Sequence, residues 1–393
     1  MEMDVEPVSN DLLEAEMDEF FRFLEHFSEI DDPRIDRGKK HKLVDILFIA
    51  VSCFLCGGRT FIDMEDCGNG MESWFKKYIE LPEGVPSHDT FRRVFSVLSP
   101  EAFEACFVKW TQTLHTMTQG EVIALDGKTI RHSFDTATDQ RAIHVVSAWA
   151  TENGLALGHV KVDSKSNEIK ALPKLLEMLD VKGRVVTIDA MGCQKNIAEK
   201  IVDKKGDYVL CVKANHEFLH ESLVRFFNER EGLDGIAHTR STSEEKKRGR
   251  IERRDCWAVQ ADPEWLGFGE GWKGLRSIAA VKRERTIKQE TSAEWRYYIT
   301  SLPGDADRIA KAVREHWGIE NSLHYVLDVT MGEDECHVRK DHSPENLATL
   351  RRIVVNICKR DKSPMKGVPS IRRPMLSARW NQDNLERLLV TCF

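Results

Sequence analysis

Two short apolar runs that each end in an aspartate, Glu121-Val-Ile-Ala-Leu-Asp-Gly127 and Val185-Val-Thr-Ile-Asp189, constrain this chain more than any other feature. A run of that length, closed by an acid, reads as a buried strand whose last residue reaches a cleft. Between them lie two more β-rich runs, 142–151 and 155–162, joined by Glu152-Asn-Gly154. An Asn-Gly pair between apolar runs is a strong hairpin signal, so the first three strands should be antiparallel neighbours. Ile169, Leu172, Leu175, Leu176 and Leu179 then recur at helical spacing, and Gly183 closes that helix before the next strand. A helix over 194–204 and a strand over 208–213 complete the order β-β-β-α-β-α-β.

That order predicts an α/β fold with a ribonuclease-H-like mixed sheet flanked by helices. In such a core the first and fourth strands lie side by side, so Asp126 and Asp189 meet at one sheet edge although 63 positions separate them. Paired carboxylates on a cleft suit Mg²⁺, a hard cation that takes oxygen ligands and leaves positions open for phosphate and water. Either aspartate alone is as readily a helix cap or turn former. The strand order is what singles out the pair.

With 393 residues there is room for two or three domains, and 41% hydrophobic and 31% charged residues are ordinary for a globular protein. No charged and then apolar leader opens the chain. The longest apolar run, 43–55, is too short to span a bilayer and carries Asp45, so a cytoplasmic protein with no membrane partner is expected. Of ten cysteines only Cys53 and Cys56 have paired spacing, and with no second pair they read as reduced core thiols.

The net charge of −7 hides an asymmetry: residues 1–32 hold twelve acids against Arg22, a local −11, so the remainder sums to +4. The expected organisation is an acidic leader helix (1–32), a helical N-terminal domain (33–118), a first part of the core (119–232), a β-rich insertion (233–298), a second part of the core (299–360) and a basic tail (361–393). From Arg351 onward ten Lys and Arg face three acids, a balance that suits phosphate as well as solvent. In the helical domain a basic segment, 36–42, leads into the apolar helix 43–55, and a capping context at Pro86-Ser-His-Asp-Thr90 precedes another helix with Arg92 and Arg93 in its first turns. This arrangement reads equally as a DNA-binding unit and as a cap on the core, with Trp74, Phe75 and Trp110 as core residues.

Two further features carry candidate chemistry. Lys246, Lys247, Arg248, Arg250, Arg253 and Arg254 place six cations within nine positions of the β insertion, around Gly249, and would meet DNA phosphate. In the helix opened by Asp307, Ile319, Leu323, Val326 and Thr330 mark one buried stripe, while His316, Glu320, His324 and Asp328 recur every fourth residue on another face. Glu320 is the best third ligand for the aspartate pair.

Leu125-Asp-Gly-Lys128, Thr187-Ile-Asp-Ala190 with Gln194, and the segment from His316 through Trp317, Glu320 and Asn321 to His324 together resemble the H-repeat-associated insertion-sequence transposases, a branch of the DDE transposases. The likeness extends to Asp32-Pro-Arg34, 38–41 and Pro86-Ser87. It implies that Asp126, Asp189 and Glu320 hold two divalent ions, Mg²⁺ with Mn²⁺ as substitute. The implied reaction is hydrolysis of a phosphodiester at the transposon end, then attack of the freed 3′-hydroxyl on target DNA. The implied partners are terminal inverted repeats and target duplex, engaged as a homodimer on DNA. Lys128, Arg131 and Lys213 are then expected phosphate contacts, Trp317 a base-stacking or core-anchoring ring, and His316, Asn321 and His324 further phosphate contacts. Related enzymes carry Tyr, Arg and Lys around the glutamate where this chain has Val313, His316 and Leu327, so those three roles do not transfer. Two rivals stand beside this reading: a ribonuclease-H-like nuclease without strand transfer, and a DNA-binding remnant without catalysis.

Overall fold

A computed structural model describes residues 25–37, 39–114, 120–134, 141–162, 168–228, 233, 235–247, 249–261, 271–361 and 370–390. The predicted leader helix lies outside these residues except for 25–28, which are helical. Five helices follow: α1 (Leu43–Leu55), α2 (Phe61–Gly70), α3 (Glu72–Phe75), α4 (His88–Val97) and α5 (Pro100–Leu114). Every residue of α1 except Val44 is buried, because an apolar sequence with no polar face can only sit inside other helices. It therefore has no face to lay on DNA. Trp74 and Phe75 pack against Phe48 of this helix, and Trp110 is buried against Phe27 and Phe107.

β1 (Val122–Ile130), β2 (Ile143–Ala150) and β3 (Leu155–Val162) form the antiparallel meander that the Asn-Gly turn predicts. α6 (Glu168–Met178) crosses back to β4 (Val185–Ile188), which pairs parallel to β1 with Val122 opposite Val185 and Leu125 opposite Ile188. α7 (Lys195–Asp203) leads to β5 (Asp207–Val212), parallel to β4, and α8 (Glu217–Asn228) follows. These five strands run in the order β3-β2-β1-β4-β5, the ribonuclease-H-like arrangement. Parallel strands buried on both faces are apolar throughout. Ile123, Leu125, Val186 and Leu210 pack toward Leu172, Leu175, Ile197 and Ile201, while Val122, Val185 and Val209 form a second cluster with Ala306, Ile309 and Ala312.

The β-rich insertion does not form a separate sheet. β6 (His238–Lys247), β7 (Arg250–Gln260), β8 (Ser277–Ile287) and β9 (Glu290–Thr300) make an antiparallel meander, and Tyr297–Thr300 pair with Val209–Val212 of β5. One nine-stranded sheet results, in which β9 covers the edge that β5 would otherwise expose. A boundary near 298 thus falls inside a single strand.

α9 (Ala306–His316), capped by Asp305 rather than Asp307, crosses β1, β4 and β7. The chain continues through a π-helical turn, Glu320–His324, into α10 (Tyr325–Val329). α11 (Ser343–Arg360) buries Arg351 and Arg352, two of the cations counted above as a basic surface. α12 (Arg372–Trp380) and α13 (Gln382–Val390) fold the predicted tail into a helix pair. Among the described residues no helix is long and apolar enough to cross a membrane.

Candidate active site

Asp126 follows the last register pair shared by β1 and β4, and Asp189 is the residue after β4. Parallel pairing therefore sets both acids at the same level of neighbouring strands, whose spacing is about 4.8 Å. They line one cleft of about 200 Å³, together with Thr187, Lys213, His316 and Glu320. Gly127 lies in close approach to two side-chain tips: a Cβ there would run into Glu168 Oε1 and His144 Nε2. Those two side chains are hydrogen-bonded at 2.6 Å, and His144 Nδ1 also meets Thr129 Oγ1 at 2.8 Å.

The π turn brings Glu320 and His324 to the same place. One ligand atom each from Asp126, Glu320 and His324 lie within 4.8 Å of one another. π turns are rare and concentrate at functional positions. The rest of the four-residue stripe also faces inward, since His316 Nδ1 bonds Thr187 Oγ1 at 3.0 Å and Asp328 pairs with Lys128 at 2.7 Å.

The two aspartates are poised oppositely. Burial, reinforced by Glu168, Glu320 and Asp189, pushes the Asp126 carboxyl up to about 7 against the pull of the Gly127 N–H. Burial also acts to raise Asp189, but the Ala190 N–H and the Lys213 ammonium, 3.1 Å away, outweigh it and hold that carboxyl below its ordinary value. Burial lowers His316 to about 4, so its imidazole is neutral, and lowers His324 as well against the opposing pull of Glu320. Carboxylate oxygens and an imidazole nitrogen gathered this closely in a cleft are a donor set that fits a divalent cation.

The expected phosphate contacts separate into distinct environments. Lys128, expected as a phosphate contact, is buried among three acids: its ammonium lies 2.7 Å from Asp328, 2.9 Å from Glu333 and 3.2 Å from Asp334. Period-two alternation, which puts Asp126 at the cleft, turns Lys128 onto the same face one step deeper. His324, also expected at phosphate, is buried with its Nδ1 within reach of Asp126 and Glu320. Arg131 is exposed beside Asp334, and Lys213 sits on Asp189. Trp317 is half-exposed with the Arg296 guanidinium 4.7 Å over its ring, and exposed Asn321 donates to the Trp317 carbonyl.

On the insertion, Lys246 and Lys247 are exposed near the hairpin tip, and Arg248 lies outside the described residues. Arg250 and Arg254 turn to one face, where both meet Glu252, while Arg253 turns to the other and pairs with Asp255. The Glu320-to-His324 spacing was available in the sequence as a ligand signal. Glu168 was not, because its approach depends on how a helix meets the sheet.

A ribonuclease-H-like sheet with an acid on each of two adjacent parallel strands, and a glutamate on the helix that covers them, defines the DDE class of proteins. The chain belongs to the transposase DDE domain family, whose model matches residues 117–357, while a DDE-transposase-associated model matches 24–111. It is 41% identical over 375 residues to "Putative transposase YncI" of Escherichia coli O157:H7, covering 94% of each chain. It is 39% identical to "H repeat-associated putative transposase YhhI" of Escherichia coli strain K12, covering 94% of this chain and 98% of the relative. A structure of the piggyBac transposase synaptic complex with hairpin DNA overlays 95% of this chain and 76% of its own at 12% identity, with a TM-score of 0.43.

Proposed function

We propose that this protein cuts DNA at the ends of a mobile element and joins the freed ends to target DNA, working as a homodimer on the duplex. The convergence of Asp126, Asp189 and Glu320 on one cleft carries this reading. Mg²⁺ or Mn²⁺ held by these acids with His324 would activate the attacking oxygen and stabilise the leaving one. In the first step a water oxygen bonds to phosphorus as the bond to the 3′-oxygen breaks, leaving a 3′-hydroxyl. In the second, that hydroxyl attacks a target phosphodiester and the target's own 3′-oxygen leaves. Bonds are exchanged one for one, so no nucleotide is consumed.

The chain's own groups contribute charge and position. Lys213 pairs with Asp189 and sets a positive charge at the cleft, where a phosphate would enter. His316, neutral and fixed by Thr187, offers a hydrogen-bonding group without adding charge. Arg296 and Trp317, in contact with each other, line the same cleft.

The test is cleavage of a labelled duplex carrying the element's own end and flank, with Mg²⁺ or EDTA, by wild type and Asp189→Ala. Nicking at the element boundary that EDTA or the substitution removes, with end binding retained, supports the reading, and joined products separate it from a simple nuclease. A wild type that binds ends in Mg²⁺ and never nicks them would refute it.

A further inference from the structure

A trough of about 490 Å³ adjoins the carboxylate cleft and shares Arg296, Tyr298, Val313 and Trp317 with it. Its floor is one face of the β6–β8 strands and its wall is α9. Alternation selects what points in: Arg250, Glu252 and Arg254 from β7 and Arg283 from β8 line it, whereas Lys282 and Arg253 do not. Its lining holds six cations, Lys247, Arg250, Arg254, Arg283, Arg296 and Arg314, against only Glu245 and Glu252.

The arrangement is costly for a fold alone. Arg254 and Arg283 are direct cross-strand partners, and like charges directly opposite destabilise a sheet. The buried Glu252 carboxylate serves three guanidiniums at once: Arg254, Arg283 at 3.1 Å and Arg250 at 3.3 Å. Arg314 comes from the opposite wall to Glu245 at 3.0 Å. Arg254 Nη1 and Arg283 Nε are buried with no hydrogen-bond partner among the described residues, although Glu245 lies 3.7 Å from the former. Buried guanidinium donors left unpaired cost free energy unless a ligand takes them.

We infer that this trough is a binding lane for DNA backbone, in which Arg254, Arg283 and Arg314 hold successive phosphates of the strand that runs away from the scissile position, with Glu252 fixing the guanidiniums in place. The inference rests on the DNA-cutting reading above for the identity of the polyanion. It divides the basic cluster of the insertion: the inward arginines bind, and the outward ones are a solvated face.

The experiment is equilibrium binding of the labelled end duplex in EDTA across a salt series, so that no cleavage is needed. Arg283→Ala and Arg314→Ala are each expected to weaken binding several-fold and to flatten the slope of log K against log salt by about one. Arg283→Lys should restore the slope, and Lys282→Ala, on the neighbouring residue of the outer face, should bind as wild type does. Arg314 sits on an exposed helix face, which protects the comparison from a folding defect. A photo-cross-linking residue at Ser243, inside the trough, should capture DNA while one at Glu244 should not. Wild-type affinity and slope in both alanine variants, failure of the Ser243 capture, or no duplex binding by wild type would each overturn the lane. A wild type that binds through these arginines but never cuts would leave the lane standing and remove the catalytic reading.

Discussion

Glu320 Oε2 lies 3.0 Å from His324 Nδ1 across one π-helical turn. The same nitrogen is 3.7 Å from Asp126 Oδ2, so the imidazole bridges an acid on the helix and an acid on the sheet. Whether His324 ligates the ion or orients Glu320, its removal should weaken ion binding.

His324→Ala is expected to reduce Mn²⁺ affinity roughly ten- to a hundredfold, the usual effect of losing a ligand or its orienting partner. His316, held by Thr187, should matter less. Calorimetric titration of Mn²⁺ into the two variants decides this without any DNA. An unchanged isotherm for His324→Ala takes that residue out of the site.

Lys128 offers a choice between two roles with opposite signatures. As a phosphate contact its loss would weaken DNA binding and spare the fold. As the partner of Glu333, which is fully buried and also held by Arg352 at 3.3 Å, its loss leaves a buried charge undercompensated. Lys128→Met is therefore expected to lose about 3–5 kcal/mol in urea unfolding at pH 7, while Arg131→Met on the exposed neighbour should change stability by less than about 0.5 kcal/mol. Burial acts to raise Glu333, but Arg352 and Lys128 outweigh it and pull the carboxyl down to about 2 from 4.5. A depressed folded value means the stabilisation is complete above about 4.5 and is lost as pH falls toward 2. Lys128→Met should therefore show a shallower acid limb than wild type. A variant as stable as wild type that binds DNA poorly would make Lys128 a phosphate contact.

The strand order and both aspartates were legible because each rests on local signals: apolar runs, an Asn-Gly turn, a glycine stop. What escaped was set by long-range packing. The fate of Lys128 depends on Asp328, Glu333 and Asp334, about two hundred positions away, and period-two alternation says which face it takes but not whether that face is wet. The continuity of the insertion with the core likewise depends on β9 finding the free edge of β5, a pairing between segments that share no sequence signal. The basic cluster was visible as charge. Its division into inner and outer arginines needed the register.

Gly127 gives a test of how tightly the site is built. The Cβ of Gly127→Ala would displace Glu168 and His144, and Glu168 is one of the charges that raise the Asp126 carboxyl. Because the nearest obstacle is the tip of a flexible side chain, the protein should fold and bind DNA, yet nick it more slowly. Nicking at the wild-type rate by the alanine variant would show that the Glu168 and His144 pair has no part in positioning Asp126.

The central helix of the N-terminal domain carries its own liability. Asp45 is buried within α1, and burial, aided by the nearby Glu80, raises its carboxyl to about 6 despite Lys42. Its folded value stands above its ordinary 3.8, so the folded state binds the proton more tightly than the unfolded chain. Stability is therefore lost as pH rises from about 4 through 6, and above that window the full penalty of a buried charge remains. Asp45→Asn keeps the shape and removes the charge, so it is expected to raise the melting temperature by a few degrees at pH 7.5 and by nothing measurable at pH 4. Calorimetric melting of both proteins at the two pH values checks the sign. A gain of equal size at both would mean that packing, and not ionisation, limits the helix at this position.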